Sequence, residues 1–210
     1  MSGLPHPSRA STLLWLALFG AVLAWSAIGP KDRFTWWLEV SPALIGLAIL
    51  AFTWRRFPLT PLVYWLILIH SVILLVGGHY TYAEVPLFDW IRDQFHLQRN
   101  NYDKVGHFAQ GFIPAMIARE LLIRLNVIRG RGWRNFFILC FVLAFSAFYE
   151  LIEWWVALAS GDDAVAFLAT QGDPWDTQSD MLLALLGGIA SLATLGRWHD
   201  RQLRPFLRRN

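Results

Sequence analysis

The sequence has a single cysteine, few charged residues, and no internal repeat or low-complexity tract. Cys140 is the only cysteine among 210 residues, so a disulfide within the chain is excluded and cysteine usage gives no information on the redox compartment. Only 16% of the residues are charged, whereas 56% are hydrophobic and 12 are Trp. These proportions are too apolar for an ordinary soluble domain. We therefore expect a membrane protein in which Cys140 is a small residue packed between helices.

Apolar segments of membrane-spanning length recur along the whole chain. A helix needs about 20 mostly apolar residues to cross a hydrocarbon core of roughly 30 Å. The predicted spans are 12–28, 36–54, 61–79, 105–125, 135–158 and 177–195. They leave room only for loops, so we predict one all-α integral membrane domain over residues 1–210, a polytopic helical bundle of about six spans. The first span is longer than the apolar core of a signal peptide and is interpreted as uncleaved.

Two parts of the pattern lead to separate expectations. The sixth span reaches membrane length only if its polar lead-in from Thr177 is included. The longest loop, 80–104, mixes Trp90, Ile91 and Phe95 with charged residues, which is typical of a helix that lies at the membrane surface. We expect an interfacial helix in this loop.

The basic residues are distributed unequally between the two sides of the predicted bundle. Basic residues near the ends of spans are retained on the cytoplasmic side during insertion. One side carries twelve arginines and the other carries five basic residues. The twelve are Arg9, Arg55, Arg56, Arg124, Arg129, Arg131, Arg134, Arg197, Arg201, Arg204, Arg208 and Arg209. This bias predicts cytoplasmic N- and C-termini, and it explains the net charge of +3 by topology without a nucleic-acid partner.

The acidic residues follow a second pattern. All of the 15 acidic residues except Glu120 and Asp200 fall in outer loops or in the outer halves of helices. Acidic residues contribute little to insertion topology, so this asymmetry has a separate cause. It indicates that the outer end of the bundle has a chemical role.

Three predicted helices place ionisable residues at a similar depth near the outer end. Asp103 and His107 are four residues apart in the fourth span, Glu150 and Glu153 lie near the end of the fifth, and Asp180 begins the sixth. Residues three or four apart share one face of a helix. An ionisable group in hydrocarbon costs about 2.5 kcal/mol or more, so these groups are expected to face a shared wet or metal-filled cavity.

Carboxylates crowded together need either bound protons or a cation. A mixed carboxylate and imidazole set suits zinc, manganese or iron, whereas magnesium prefers oxygen ligands alone. The residues predicted to bind a divalent cation (Zn, Mn or Mg) are Asp103, His107, Glu150, Asp180 and Asp173. Such an ion lowers the pKa of bound water to about 7, and Glu153 or Asp176 is the predicted catalytic base. The alternative is that these groups only fix helix packing, with Asp173 and Asp176 as helix caps.

Three motifs resemble those of the YjdF-type bacterial inner-membrane proteins. They are Asn-Tyr-Asp-Lys-Val-Gly-His-Phe at 101–108, Tyr-Glu-Leu-Ile-Glu-Trp at 149–154 and Gly-Asp-Pro-Trp-Asp-Thr-Gln-Ser-Asp-Met at 172–181. The resemblance covers most of the chain and implies a multi-pass protein of the bacterial inner membrane, with no particular reaction.

A more distant resemblance is to the VanZ-like family, which is linked with glycopeptide-antibiotic resistance. The fourth span opens with Asp-Lys-x-x-His-Phe at 103–108, and an Asp-x-x-x-Asn-x-x-Gly pattern corresponds to 180–187. In this chain Ala184 occupies the Asn position of the second pattern.

Three classes of function fit these observations. The first is a metal-dependent hydrolase or transferase that acts on a lipid-linked or envelope substrate at the outer face. The second is a proton- or cation-coupled carrier, in which the same groups form a relay. The third is a non-enzymatic envelope or assembly factor. Membrane lipids are expected partners of all three.

Overall fold

The structure is a computed structural model that describes residues 6–160 and 165–207. The helices are α1 (Arg9–Ala27), α2 (Arg33–Thr53), α3 (Pro61–Tyr80), α4 (Pro86–Phe95), α5 (Tyr102–Arg124), α6 (Arg131–Ser160), α7 (Val165–Leu168) and α8 (Asp176–Leu207). No strand occurs in these two ranges, which confirms the all-α prediction. Residues 161–164, between the fifth and sixth predicted spans, and the arginines at 208 and 209 lie outside the described residues.

Local sequence signals define where several helices begin. The Ser8 hydroxyl accepts a hydrogen bond from the Ser11 N–H (3.1 Å) at the start of α1. The Asp32 carboxylate accepts one from the Thr35 N–H (2.6 Å) at the start of α2. α3 and α4 each begin with a proline, whose missing N–H costs nothing in a first turn.

Five helices of the described chain are long and apolar enough to cross a membrane, namely α1, α2, α3, α6 and α8. α5 has a comparable length of 23 residues but carries many more polar residues. Its polar and small side chains are largely buried, because α5 packs against α3, α6 and α8 at the centre of the bundle. The protein is therefore a helical membrane bundle, and the count of six spans stays a prediction.

Close backbone approach holds α5 against α8. A Cβ atom added at Gly111 would overlap the backbone carbonyl of Ala184, and one added at Gly187 would overlap the carbonyl of Phe108. Small residues allow membrane helices to approach closely enough for extensive van der Waals contact. These two glycines fix the separation of the helices that carry Asp103, His107 and Asp180.

The bundle has two chemically different ends. α5 and α8 run parallel, because Lys104 contacts Asp180 at one end whereas Arg119 contacts His199 at the other. We call the first the acidic end and the second the arginine end. α3 and α6 run antiparallel to α5, so their carboxyl-terminal halves lie at the acidic end.

Some boundaries differ from the predicted spans. α6 begins at Arg131 and ends at Ser160, and α8 extends to Leu207, well beyond the predicted end at 195. The added part of α8 is held to the bundle by the buried side chains of His199, Leu203 and Phe206. The short apolar run of the sixth predicted span is thus one part of a longer amphipathic helix.

Two further expectations concern single features. α4 is the helix expected in the loop 80–104, with Leu87, Trp90 and Phe95 exposed on it, and its position at a membrane surface stays a prediction.

Cys140 is exposed on the surface of the bundle, so the expectation that it packs between helices is wrong. Its position in α6 faces the surroundings of the bundle instead of a neighbouring helix.

Candidate functional site

His107 occupies the centre of a buried polar cluster at the acidic end. Its Nε2 lies 3.2 Å from Asp103 Oδ1 and 3.7 Å from Asp180 Oδ2. Its Nδ1 lies 3.2 Å from Gln110 Oε1 and 3.8 Å from Glu150 Oε1. The imidazole therefore faces carboxylates from three helices, with a different set at each ring nitrogen.

Two overlapping groups in the described chain have the spacing of metal ligands. In the first, ligand atoms of Asp103, His107 and Asp180 lie within 4.8 Å of one another. In the second, ligand atoms of His107, Glu150 and Glu153 lie within the same distance. The structure thus brings together five of the residues singled out in the sequence.

Two basic residues enter the cluster and neutralise part of its charge. The Lys104 ammonium donates to Asp176 Oδ1 (2.6 Å), Asp180 Oδ1 (2.7 Å) and Ser179 Oγ (2.6 Å). The Arg99 guanidinium forms an ion pair with Asp176 and lies 3.2 Å from Asp103 Oδ2. The three aspartates at this side of His107 therefore have protein cations as partners.

Arg99 and Lys104 are two of the five basic residues counted on the less basic side of the bundle, and no role in a site was predicted for them. The side chains are 10% and 17% exposed, which is unusual for basic residues in an exposed loop or at a helix start. The spacing of four between Arg99 and Asp103 was the available signal for one pair. The pairs with Asp176 join residues more than 70 positions apart, and spacing gives no signal for them.

The glutamates on the other side of His107 have no such partner. Among the described residues, neither Glu150 nor Glu153 forms an ion pair with Lys or Arg. The Glu150 side chain is 8% exposed, and its Oε1 has no hydrogen-bond partner in the described chain. A buried carboxylate oxygen without a partner is costly, so this atom points to a group that the protein chain itself does not supply.

Glu39 of α2 adds a buried acid that the sequence analysis did not assign to the site. It is 5% exposed, and the Tyr149 hydroxyl donates to its Oε2 over 3.4 Å. Tyr82, in the turn after α3, packs its ring where Gly77 and Gly106 leave room. Burial and the charge of Glu39 raise the pKa of the Tyr82 hydroxyl, so that it remains a hydrogen-bond donor at neutral pH.

Asp173 and Asp176 differ in burial: Asp173 lies at the rim of the cluster, whereas Asp176 lies inside it. Asp173 lies at the rim, one-third exposed, where its Oδ1 accepts from the Trp175 N–H (2.9 Å) and its Oδ2 is 3.6 Å from Arg99. Asp176 is the first residue of α8 and is held by Lys104 and Arg99. Neither belongs to the two groups with metal-ligand spacing.

His79, near the end of α3, lies outside the cluster around His107. Its Nδ1 lies 3.1 Å from the Ser26 carbonyl oxygen, and its ring packs against Trp25 and Tyr80. It connects α3 with α1 and makes no described contact with His107 or its carboxylates.

Long apolar helices around a buried cluster of ionisable side chains define an integral helical membrane protein. Residues 11–201 match the family described as "Predicted membrane protein (DUF2238)", and the chain belongs to this family. It is 52% identical over 185 residues to the inner membrane protein YjdF of Escherichia coli (strain K12), and the match covers 88% of each protein.

This relationship confirms the YjdF-type resemblance and the location in the inner membrane. The more distant resemblance to the VanZ-like family stays a prediction. No solved structure matches the chain.

Proposed function

We propose that this inner-membrane protein is an enzyme that binds a divalent cation at the acidic end and uses it to hydrolyse or transfer a group of a lipid-linked or envelope substrate. The observation that carries the proposal is Glu150 Oε1, which is buried, lacks a hydrogen-bond partner in the described chain and lies 3.8 Å from His107 Nδ1. An ion between these two atoms would supply the missing partner.

The surroundings of His107 favour an ion on the Nδ1 side of the ring. Metal-binding histidines usually donate their other ring N–H to a carboxylate, which fixes the tautomer and the ring orientation. Asp103 Oδ1, 3.2 Å from Nε2, is placed to accept that hydrogen bond. Gln110 Oε1, 3.2 Å from Nδ1, would have to turn aside so that the Nδ1 lone pair could bind the ion together with Glu150 and Glu153.

The Nε2 side is less favourable for an ion because its aspartates already have cationic partners. Lys104 and Arg99 would repel a divalent ion placed between Asp103 and Asp180. Compared with the ligand set expected from the sequence, the proposal keeps His107 and Glu150, adds Glu153, and gives Asp103 the role of orienting the imidazole.

The proposed ligands determine which metals and which chemistry are suitable. One imidazole with carboxylates suits zinc, manganese or iron. The metal would polarise a substrate oxygen and bring the pKa of bound water to about 7. Glu153 would accept the proton of that water through its second oxygen, since Asp176 is already neutralised by two basic residues.

Metal analysis of the purified protein tests the proposal directly. After dialysis against zinc or manganese and removal of free metal, the wild type is expected to retain about one ion per chain. His107→Ala and Glu150→Gln are expected to lose that ion because each removes a proposed ligand. The matched control is Asp173→Asn, which removes a carboxylate at the rim and should retain the ion.

This control distinguishes metal binding at the proposed site from nonspecific binding to acidic residues. Equal loss in Asp173→Asn and Glu150→Gln would indicate nonspecific binding to a negative surface. A wild-type protein that retains neither zinc nor manganese would overturn the proposal.

The carrier alternative has less support from the interior of the bundle. A cluster of fully buried apolar side chains lies between the acidic end and the arginine end, and it includes Ala115, Ile138, Val142 and Ala184. These side chains provide no groups that bind protons or ions. Proton flux in liposomes that disappears in Asp180→Asn would reverse this ranking.

A further inference from the structure

An apolar groove of about 320 Å³ lies at the arginine end, away from the proposed metal site. α1 and α2 each pack against α3 but make few contacts with each other, so α3 forms the floor of the groove between them. Its lining includes Trp15, Leu47, Leu50, Trp54, Pro61 and Trp65. The volume is within the range of pockets that bind small molecules.

The groove is partly open to the surroundings of the bundle. Leu16, which is 47% exposed, and Ala51, which is also exposed, form parts of its two walls. In a membrane these positions face lipid acyl chains, because α1 and α2 are both long and apolar enough to span. A hydrocarbon chain can therefore enter sideways from the bilayer without crossing water.

Three arginines adjoin the groove lining in sequence, and the guanidinium of one of them, Arg56, lies over the exposed Phe52 ring, 5.4 Å from its centroid. Arg9 is two residues before the lining residue Ser11, and Arg55 and Arg56 directly follow the lining residue Trp54. All three are exposed, and none forms an ion pair with a described residue. These arginines thus carry positive charge that the described chain does not neutralise.

The acidic residues of this end are held elsewhere. Glu120 pairs with Arg124 (2.8 Å), and Asp200 pairs with Arg119 (2.5 Å). They are consequently not available to the arginines at the groove. A negative partner for these arginines has to come from outside the described chain.

We propose that this groove binds one anionic phospholipid, with an acyl chain between α1 and α2 and the phosphate headgroup at Arg9, Arg55 and Arg56. Trp54, at the end of α2, would lie at the level of the headgroups, where indoles prefer to be. Each basic residue near an anionic lipid surface changes binding by about fivefold. The site is separate from the metal site and does not depend on it.

Native mass spectrometry of the detergent-purified full chain, titrated with phosphatidylglycerol or phosphatidylcholine, tests this site. The wild type is expected to bind phosphatidylglycerol at least about fivefold more tightly than phosphatidylcholine. Arg9→Gln combined with Arg55→Gln and Arg56→Gln should remove that preference. Ala51→Phe should weaken the binding of both lipids, because the larger side chain occupies the groove without a change in charge.

The matched control is Arg129→Gln combined with Arg131→Gln, which removes exposed arginines at the same end but away from the groove. It should keep the wild-type preference. Equal affinities of the wild type for the two lipids would overturn the proposal. So would phosphatidylglycerol binding that is unchanged in Ala51→Phe, or a loss of preference in the control as large as in the groove variant.

Discussion

At the scale of single residues, Glu120 shows how the bundle accommodates a fully buried charge. It is 0% exposed and accepts hydrogen bonds from the Thr60 N–H (3.0 Å), the Thr60 hydroxyl (2.7 Å) and Arg124 (2.8 Å). His199 Nε2 lies 3.1 Å from the same carboxylate. Glu120 therefore joins α5 to the start of α3 and to the end of α8.

Glu120→Ala is expected to destabilise the protein strongly. The variant leaves Arg124 and His199 buried without their carboxylate, and removal of one partner of a buried ion pair costs about 3–5 kcal/mol. The midpoint of thermal unfolding in detergent measures the effect. Glu84→Gln is the control, since Glu84 and its partner Lys31 are 55% and 44% exposed and their ion pair is worth about 1 kcal/mol or less. Similar midpoints for the two variants would contradict this account.

The sequence predicted part of the candidate site, and the physical reason is helical spacing. Asp103 with His107 and Glu150 with Glu153 share helix faces because they are four and three residues apart. The contribution of Glu39 could not be read in this way, because its contact with Tyr149 joins residues 110 positions apart. Its position depends on how α2 packs against the rest of the bundle.

At the scale of elements, the contact between α5 and α8 determines the geometry of the site. Gly111→Ala is expected to lower both stability and metal retention, because the added methyl group meets the backbone of Ala184 and forces the helices apart. Thermal unfolding and metal analysis of one preparation measure both effects. Gly196→Ala in α8 is the control, since nothing lies within 4 Å of its added Cβ. A Gly111→Ala protein with wild-type metal content would show that the site tolerates a shift of α8.

The helices were predictable to different degrees. Apolar length located α1, α2, α3 and α6, because those helices present wide hydrophobic surfaces. The end of α8 was not predictable from hydropathy, because its last turns are amphipathic and contribute only His199, Leu203 and Phe206 to the interior. α5 was predicted as the span 105–125. Its buried faces carry several polar side chains, because they pack against neighbouring helices and do not face lipid.

At the scale of the whole molecule, the two charge patterns predict an orientation that remains to be measured. In a Cys140→Ser background, Trp175→Cys at the acidic end should react with a membrane-impermeant maleimide in intact spheroplasts. Arg129→Cys should react only after lysis, because the arginine-rich side is predicted to face the cytoplasm. Both positions are exposed.

The labelling pattern decides between orientations. Inverted accessibility of the two cysteines would place the acidic end in the cytoplasm and exclude an envelope substrate at the proposed site. Labelling of both from the same side would contradict the predicted path of α6 across the membrane.

The central position of α5 also affects when this helix can be stably inserted into the membrane. α5 leaves the ribosome before α6 and α8, yet Lys104 and Arg119 find partners in α8, the last described helix. Until α8 is synthesised, α5 has buried charges without counterions and is too polar to be stable alone in lipid. We therefore expect insertion of α5 to be completed only after α8 has been synthesised. A chain truncated before α8 would lack Asp180 and would leave Lys104 and Arg119 without these partners.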